Sequence, residues 1–260
     1  MLKIKFLNLT IAFLLLFTFS MKAEDELGIY EHLDQFIPSD LVFVTENYDT
    51  INLLAQIDKP TVIVPVYYEC PGLCSPLLEG VADVISKATI EIGKDYQVFT
   101  ISFNPAEKTK LAKEKKETYL KLVKNKTGDL ENGWLFHTGD STNISNLLNS
   151  LGYKIKKEGK DWIHPGAIIV LSPNGKITRY LHGTYFLPFD LKMAVVEASH
   201  GKSGPTINKM LKFCFSYDAE GKKYVFNITK VSGSLIILAA LGFFFSLIFK
   251  SKKNKPSVEN

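Results

Sequence analysis

Two cysteines separated by three residues are the part of the sequence best suited to chemistry. Cys70 and Cys74 follow an apolar run, residues 61–67, that predicts a buried strand, and they precede residues with helical periodicity. Both thiols then lie where a strand passes into a helix, close to the positive end of the helix dipole, which favours the thiolate. Thiolates are nucleophiles and soft metal ligands. The pair therefore indicates a redox dithiol or a soft metal site, and a plain structural disulfide remains an alternative.

His164 is the best candidate for a third ligand. It directly precedes a Pro-Gly pair and the predicted strand 167–171, and in a thioredoxin-like sheet the loop entering this strand faces the cysteine turn. Two thiolates and one imidazole suit Cu(I), or Cu(II) if a further ligand joins, whereas zinc usually takes a closed set of four. We expect Asp161 and Trp162 to orient the imidazole. Pro165 is expected to have a cis peptide bond.

The order of predicted elements indicates how these residues are positioned. Residues 61–200 alternate strands and helices and end in a hairpin and a helix, which is typical of an α/β, thioredoxin-like sheet with flanking helices. The predicted strands are 61–67, 96–103, 134–137, 167–171 and 176–181, and the predicted helices are 76–92, 105–124, 141–151 and 187–199. Residues 24–60 are expected to form an N-terminal extension that contains a strand at 41–44.

Both ends of the chain predict a membrane context. Residues 1–23 have the layout of a secretory signal peptide, with an uncleaved anchor as the alternative. Residues 231–249 are uncharged and mostly apolar, which predicts a C-terminal transmembrane helix. The lysines of the tail, residues 250–260, place that tail in the cytoplasm. We therefore expect a protein of the bacterial inner membrane with its soluble domain in the periplasm, joined to the helix by a linker, 201–230, that contains Cys214.

Composition excludes two broad classes. The net charge of +4 is mild and the lysines have no interleaved aromatic residues, so we expect no nucleic acid partner. Three cysteines, of which Cys214 lies far from the other two, do not form the disulfide framework of a small secreted domain. The lysines of the helix 105–124 are expected to lie on a solvated face.

The cysteine turn also resembles that of a known family. The run from Tyr67 to Leu78, which reads YYECPGLCSPLL, is similar to the copper-site turn of Sco/SenC proteins, which assemble cytochrome c oxidase. In that family a histidine lies nine residues before the proline of a Pro-x-Gly turn, and His164 has this spacing from Pro173. The resemblance covers residues 35–200. It departs from the family in Asn104-Pro105, where many members have Asp-Pro, and in the added C-terminal span.

The resemblance implies a membrane-anchored, thioredoxin-like copper chaperone. Cys70, Cys74 and His164 would bind copper as Cu(I), Cu(II) or both, and the two cysteines would also form a redox-active pair. The implied target is the dinuclear copper site of cytochrome c oxidase subunit II, which would receive copper or have its cysteines reduced. Other copper chaperones or thiol reductases are further expected partners.

Two enzymatic functions compete with copper delivery. The first is a periplasmic thiol–disulfide reductase with Cys70 as the attacking thiol and Cys74 as the resolving thiol. The second is a peroxiredoxin-like peroxidase. The sequence supports this alternative less, because Arg179 is the only arginine that could assist a peroxidatic cysteine. The sequence leaves open whether the protein is an enzyme.

Overall fold

The computed structural model describes residues 27–70, 72–124, 128–159 and 161–204, and further along the chain the strand backbone at 215–218 and 223–226 and residue 232. The chain divides into two compact units, residues 1–204 and 205–260. The predicted signal peptide and Cys214 lie outside the described residues, and so does the predicted span 231–249 apart from residue 232. Among the described residues, no helix combines the length and apolar character that crossing a bilayer requires.

The first unit is built from short strands and helices in alternation. Its strands are β1 (Gly28–Ile29), β2 (Val42–Thr45), β3 (Thr50–Asn52), β4 (Thr61–Val66), β5 (Gln97–Ser102), β6 (Trp134–Thr138), β7 (Tyr153–Lys154), β8 (Lys156–Glu158), β9 (Asp161–Ile163), β10 (Ala167–Leu171) and β11 (Ile177–His182). Its helices are α1 (Leu53–Gln56), α2 (Cys74–Lys87), α3 (Thr109–Leu120), α4 (Leu130–Gly133), α5 (Ser141–Ser150) and α6 (Pro188–Ser199). In the second unit, the backbones of β12 (Phe215–Asp218) and β13 (Lys223–Phe226) pair in antiparallel orientation.

A mixed seven-stranded sheet forms the centre of the first unit, in the order β11-β10-β4-β5-β6-β2-β3. Strands β4, β5 and β6 are parallel, whereas β10 runs antiparallel to β4. The carboxyl ends of the three parallel strands and the amino end of β10 consequently lie at one edge of the sheet. This edge receives the cysteine turn after β4, the loop after β5 and the loop that carries His164 before β10.

The central strands are buried along their whole length. Every residue of β4, β5 and β10 is buried, as expected for strands covered by helices on both faces. Pro65 cannot donate a backbone hydrogen bond, and it lies beyond Ile63, the last residue of β4 that pairs with β10. The sheet therefore opens between β4 and β10 at the edge where the cysteines and His164 lie.

Helix α2 carries Cys74 into the core. One face of this helix is buried, from Leu77 to Ile85, and Gly80 packs against the backbone of Thr184 in the loop after β11. A side chain at Gly80 would collide with that backbone. The close contact fixes α2 against the segment that follows β11.

The predicted α/β sheet is confirmed, with differences at the ends of the elements. Helix α2 begins at Cys74 and ends at Lys87, so it starts earlier and stops sooner than predicted. The hairpin β8–β9 was not predicted, because its Lys- and Glu-rich sequence has no apolar alternation. Lys116 was expected on a solvated face but is buried. Its ammonium group donates to Glu46 at 2.6 Å and to the carbonyl of Glu131, and these hydrogen bonds compensate the buried charge.

Candidate metal centre

Three potential ligands meet at the sheet edge defined by β4 and β10. One ligand atom each from Cys70, Cys74 and His164 lies within 4.8 Å of the other two. The Sγ atom of Cys74 is 3.1 Å from Nε2 of His164. These are the three residues singled out from the sequence, and the described part of the chain contains no second group of three such ligands.

The backbone of the turn directs both sulfur atoms inward. The N–H groups of Gly72 and Cys74 donate to Sγ of Cys70 at 3.4 Å, and the N–H of Tyr67 donates to Sγ of Cys74 at 3.4 Å. Because α2 begins only at Cys74, the two sulfurs do not meet through helical i, i+4 spacing. The turn itself brings them together.

The two cysteines differ in exposure and acidity. Cys74 is buried and Cys70 is partly exposed, and both are free thiols. Burial raises the pKa of Cys74 above its usual range. Hydrogen bonding from the Cys74 thiol lowers the pKa of Cys70 well below its usual range, and the turn N–H groups act in the same direction against the effect of burial. Cys70 is therefore the thiolate that faces solvent.

The hydrogen bonds of His164 determine its tautomer. Its Nδ1 lies 3.0 Å from the carbonyl oxygen of Pro165 and 3.2 Å from the hydroxyl of Tyr153, which itself donates to the same carbonyl. Because a carbonyl oxygen can only accept, Nδ1 carries the hydrogen. The lone pair of Nε2 then points to Cys74, which is the arrangement a metal-binding histidine requires.

Aromatic side chains close the buried side of the centre. The rings of Phe103 and Tyr67 meet the imidazole of His164 edge to face, at centroid distances of 5.1 and 6.1 Å. The hydroxyl of Tyr67 lies near Cys70. Burial is the main cause that raises the pKa of Tyr67, and the sulfur of Cys70 raises it further. Water is thereby excluded from the His164 side, and the partly exposed Cys70 forms the open side.

Two expectations about the surroundings of His164 are wrong. Trp162 packs on Phe103 at a centroid distance of 6.2 Å, and Tyr153 with the Pro165 carbonyl orients the imidazole instead of Asp161 or Trp162. The described residues contain no cis peptide bond, so Pro165 has the trans form that most prolines adopt. Sequence reasoning missed Tyr153 because it lies on the short strand β7, which no periodicity marks.

The remaining histidines are engaged elsewhere. His182 bonds to Glu31 at 2.9 Å and does not join the three ligands. His137 is fully buried in β6 and bonds to Gln56 at 2.9 Å.

Glu107, which was not considered from the sequence, accepts hydrogen bonds from the backbone directly before Cys70.

Comparisons with known proteins place this architecture among solved structures. No family model and no curated protein matches the chain. A proposed electron transfer protein from Aquifex aeolicus VF5 is 25% identical, with a TM-score of 0.58 over 65% of this chain and 95% of that one. A SCO1/SenC family lipoprotein from Bacillus anthracis is 16% identical, with a TM-score of 0.52 over 66% and 98%. ScoI from Arabidopsis thaliana, solved with copper bound, is 17% identical, with a TM-score of 0.50 over 63% and 98%.

The chain has the fold of the Sco/SenC proteins. The predicted thioredoxin-like sheet with flanking helices is thereby confirmed. On this Sco-like fold, two sulfurs and one imidazole nitrogen lie close together, and of the three residues only Cys70 is partly exposed. Thiolate and imidazole donors form a soft set that can hold a metal of low coordination number, such as Cu(I), and the same two sulfurs are close enough for dithiol chemistry.

Proposed function

We propose that the protein is a Sco-like copper-binding protein that holds copper through Cys70, Cys74 and His164. The observation that carries the proposal is the convergence of these three ligand atoms within 4.8 Å of one another. The family likeness supports it, because Sco proteins of this fold have been solved with copper bound.

The composition of the site favours copper over zinc. Structural zinc sites are closed by four protein ligands, whereas the described residues provide three, with a partly exposed Cys70. A soft set of three with one open side can bind Cu(I) and release it to a partner that supplies competing thiolates or imidazoles. The geometry thus suits temporary storage of the metal.

Metal analysis of the full chain, purified in a reducing buffer and loaded with Cu(I), tests this proposal. We expect about one copper per chain, as one three-ligand site implies. The Cys70→Ser variant should lose this copper, and a His182→Ala variant should retain it, because His182 lies outside the three ligands. Equal loading of the wild type and Cys70→Ser would refute the proposal.

In the cell we propose delivery of copper to the dinuclear site of cytochrome c oxidase subunit II, or reduction of its cysteines. The soluble domain would act in the periplasm, held by the predicted helix 231–249 with the tail 250–260 in the cytoplasm. The Sco-like fold and the soft site support this role. Deleting the gene should lower oxidase activity at limiting copper, and added copper should restore part of it. Normal oxidase assembly at limiting copper would contradict the role.

A thiol–disulfide reductase is the second candidate, favoured by the unequal cysteines. The exposed Cys70 thiolate would attack a partner disulfide and release one partner thiolate. Cys74, deprotonated by the adjacent Nε2 of His164, would then attack the sulfur of Cys70, release the second partner thiolate and leave a Cys70–Cys74 disulfide. The two cysteines supply the two electrons. Glutathione disulfide is a suitable test substrate. With Cys74→Ser the reaction should stop at a mixed disulfide between Cys70 and glutathione. Fast reduction of glutathione disulfide by the wild type, without copper binding, would favour the reductase.

A further inference from the structure

A buried carboxylate lies directly beneath the cysteine turn. Glu107 is 6% exposed, and its Oε2 accepts from the N–H of Tyr68 at 2.8 Å while its Oε1 accepts from the N–H of Glu69 at 2.9 Å. The hydroxyl of Ser102 donates to the same Oε2 at 2.5 Å. Among the described residues, Glu107 has no lysine or arginine partner. Burying a carboxylate is unfavourable unless hydrogen bonds compensate, and three donors do so here.

The sheet topology explains why this carboxylate reaches the turn. The chain leaves β4 toward Cys70 and leaves β5 toward Glu107 at the same sheet edge, because β4 and β5 are parallel. Asn104 shapes the second loop: its carbonyl accepts from the N–H of Glu107 at 3.1 Å, and its Oδ1 accepts from Ala106 at 3.2 Å. The loop thus presents the Glu107 side chain to the two N–H groups that precede Cys70.

Cys70 needs such a support more than the other two ligands do. Cys74 is held by α2 and by the core, and His164 is held by its Nδ1 hydrogen bonds and by aromatic rings. Cys70 lies in a turn and is partly exposed, so packing restrains it least. Its position depends on the backbone immediately before it, where the N–H groups of Tyr68 and Glu69 are bound by Glu107.

We propose that Glu107 is a positioning residue of the metal centre, which fixes Cys70 by clamping the backbone of Tyr68 and Glu69. The inference rests on the proposed copper-binding function. Supporting interactions of this kind set metal affinity by holding ligands in place, and their loss typically weakens binding by roughly 10- to 100-fold.

The negative charge of Glu107 should weaken copper binding by disfavouring the thiolates, whereas its clamping of the turn should strengthen copper binding. A buried anion near the site disfavours a second anion, so removing the charge alone would leave copper binding unchanged or strengthen it. The two roles therefore predict changes of opposite sign. Glu107→Gln removes the charge and one acceptor, whereas Glu107→Asp keeps the charge but is too short to reach both N–H groups.

Competition for Cu(I) between the reduced full chain and a chromophoric chelator tests the inference. We expect Glu107→Gln and Glu107→Asp each to bind copper roughly 10- to 100-fold more weakly than the wild type. Glu46→Gln is the matched control, since Glu46 is also buried but accepts from the ammonium group of Lys116 and the N–H of Phe136 instead of from the backbone of Tyr68 and Glu69. The copper affinity of this variant should stay near that of the wild type. Unchanged or stronger binding by Glu107→Asp would overturn the inference.

Amide hydrogen exchange provides a second readout that needs no metal. In both Glu107 variants the N–H groups of Tyr68 and Glu69 should exchange faster, while the N–H of Phe103, which donates to the carbonyl of Val66 at 2.7 Å, should keep its protection. If the wild type binds no copper, the proposed function fails, and the exchange of the two amides still decides whether Glu107 holds the turn. Unchanged exchange at both amides would refute the clamp.

Discussion

At the scale of single residues, the centre depends on its three ligands and also on two residues that no sequence motif indicates. Residue type and spacing were enough to select Cys70, Cys74 and His164, because thiols at a strand-to-helix turn and a histidine before a returning strand converge in this topology. Tyr153 and Glu107 could not be selected in this way. Each reaches the site through a tertiary contact across many residues of sequence, and neither stands in a motif.

Tyr153 should matter for copper affinity through the orientation of His164. Its hydroxyl donates to the carbonyl of Pro165 and lies 3.2 Å from Nδ1 of His164. Tyr153→Phe removes the hydroxyl and should weaken Cu(I) binding by roughly tenfold, in the range for supporting interactions at metal sites. Chelator competition measures the change. Tyr180→Phe is the control, because Tyr180 is a buried tyrosine whose hydroxyl donates to Leu151 instead; equal affinities in both variants and the wild type would contradict the prediction.

His137 should make the fold sensitive to acid. The ring is fully buried, its Nδ1 has no hydrogen-bond partner among the described residues, and burial lowers its pKa from 6.5 to about 4. Between these two values the unfolded chain binds a proton that the folded chain does not, so the free energy of unfolding falls as the pH drops from 6.5 to 4. The loss from this one group is roughly 3 kcal/mol at pH 4.

Denaturant unfolding at several pH values measures this effect. His137→Gln removes the titrating group, so its free energy of unfolding should fall less steeply than that of the wild type between pH 6.5 and pH 4. Comparing the two proteins removes the contribution of the carboxylates, which both contain. Identical slopes over this range would show that His137 does not couple folding to pH.

At the scale of elements, the sequence predicts the sheet well because its strands are long apolar runs. Strands β4, β5 and β10 are buried throughout and match the predicted runs to within one residue at each end. The ends of the helices are less predictable, since α2 ends at Lys87 although apolar residues continue to Ile92. The hairpin β8–β9 was missed because tertiary pairing, and not apolar alternation, defines it.

Gly80 should be essential for seating α2. An alanine is normally favourable in a helix by about 1 kcal/mol relative to glycine, but here its Cβ would collide with the backbone carbonyl of Thr184. We expect Gly80→Ala to lower the free energy of unfolding by about 1 to 3 kcal/mol, as overpacked core substitutions do. Urea unfolding measures this, with the exposed neighbour Glu79→Ala as a control that stays within about 0.5 kcal/mol of the wild type. A more stable Gly80→Ala protein would contradict the close contact.

At the scale of the whole molecule, the centre joins segments far apart in sequence. The cysteine turn follows β4, while His164 enters β10, and the two strands pair only as far as Ile63. A metal held by all three ligands would connect these segments across the open edge of the sheet. The sequence predicted this convergence from the expected thioredoxin-like sheet, in which the loop that enters β10 faces the cysteine turn. The structure shows its basis, because β10 runs antiparallel to β4 and the end of β4 and the start of β10 therefore lie at the same edge.

Copper should therefore stabilise the whole folded unit. Binding to the folded state alone raises stability by about 4 kcal/mol at a free ligand concentration of 1,000 times Kd. Calorimetric melting of the reduced chain should show a higher Tm with Cu(I) than without it. The Cys70→Ser variant should show a much smaller rise, and a rise equal to that of the wild type would indicate that the metal binds elsewhere.

The most direct test of the account is X-ray absorption of the Cu(I)-loaded chain, which counts the atoms bound to the metal. Copper in the wild type should have two sulfur neighbours and one imidazole nitrogen, and copper in His164→Ala should lose the nitrogen and keep both sulfurs. A copper environment without nitrogen in the wild type, or an unchanged spectrum in His164→Ala, would contradict the assignment of Cys70, Cys74 and His164 as one metal centre.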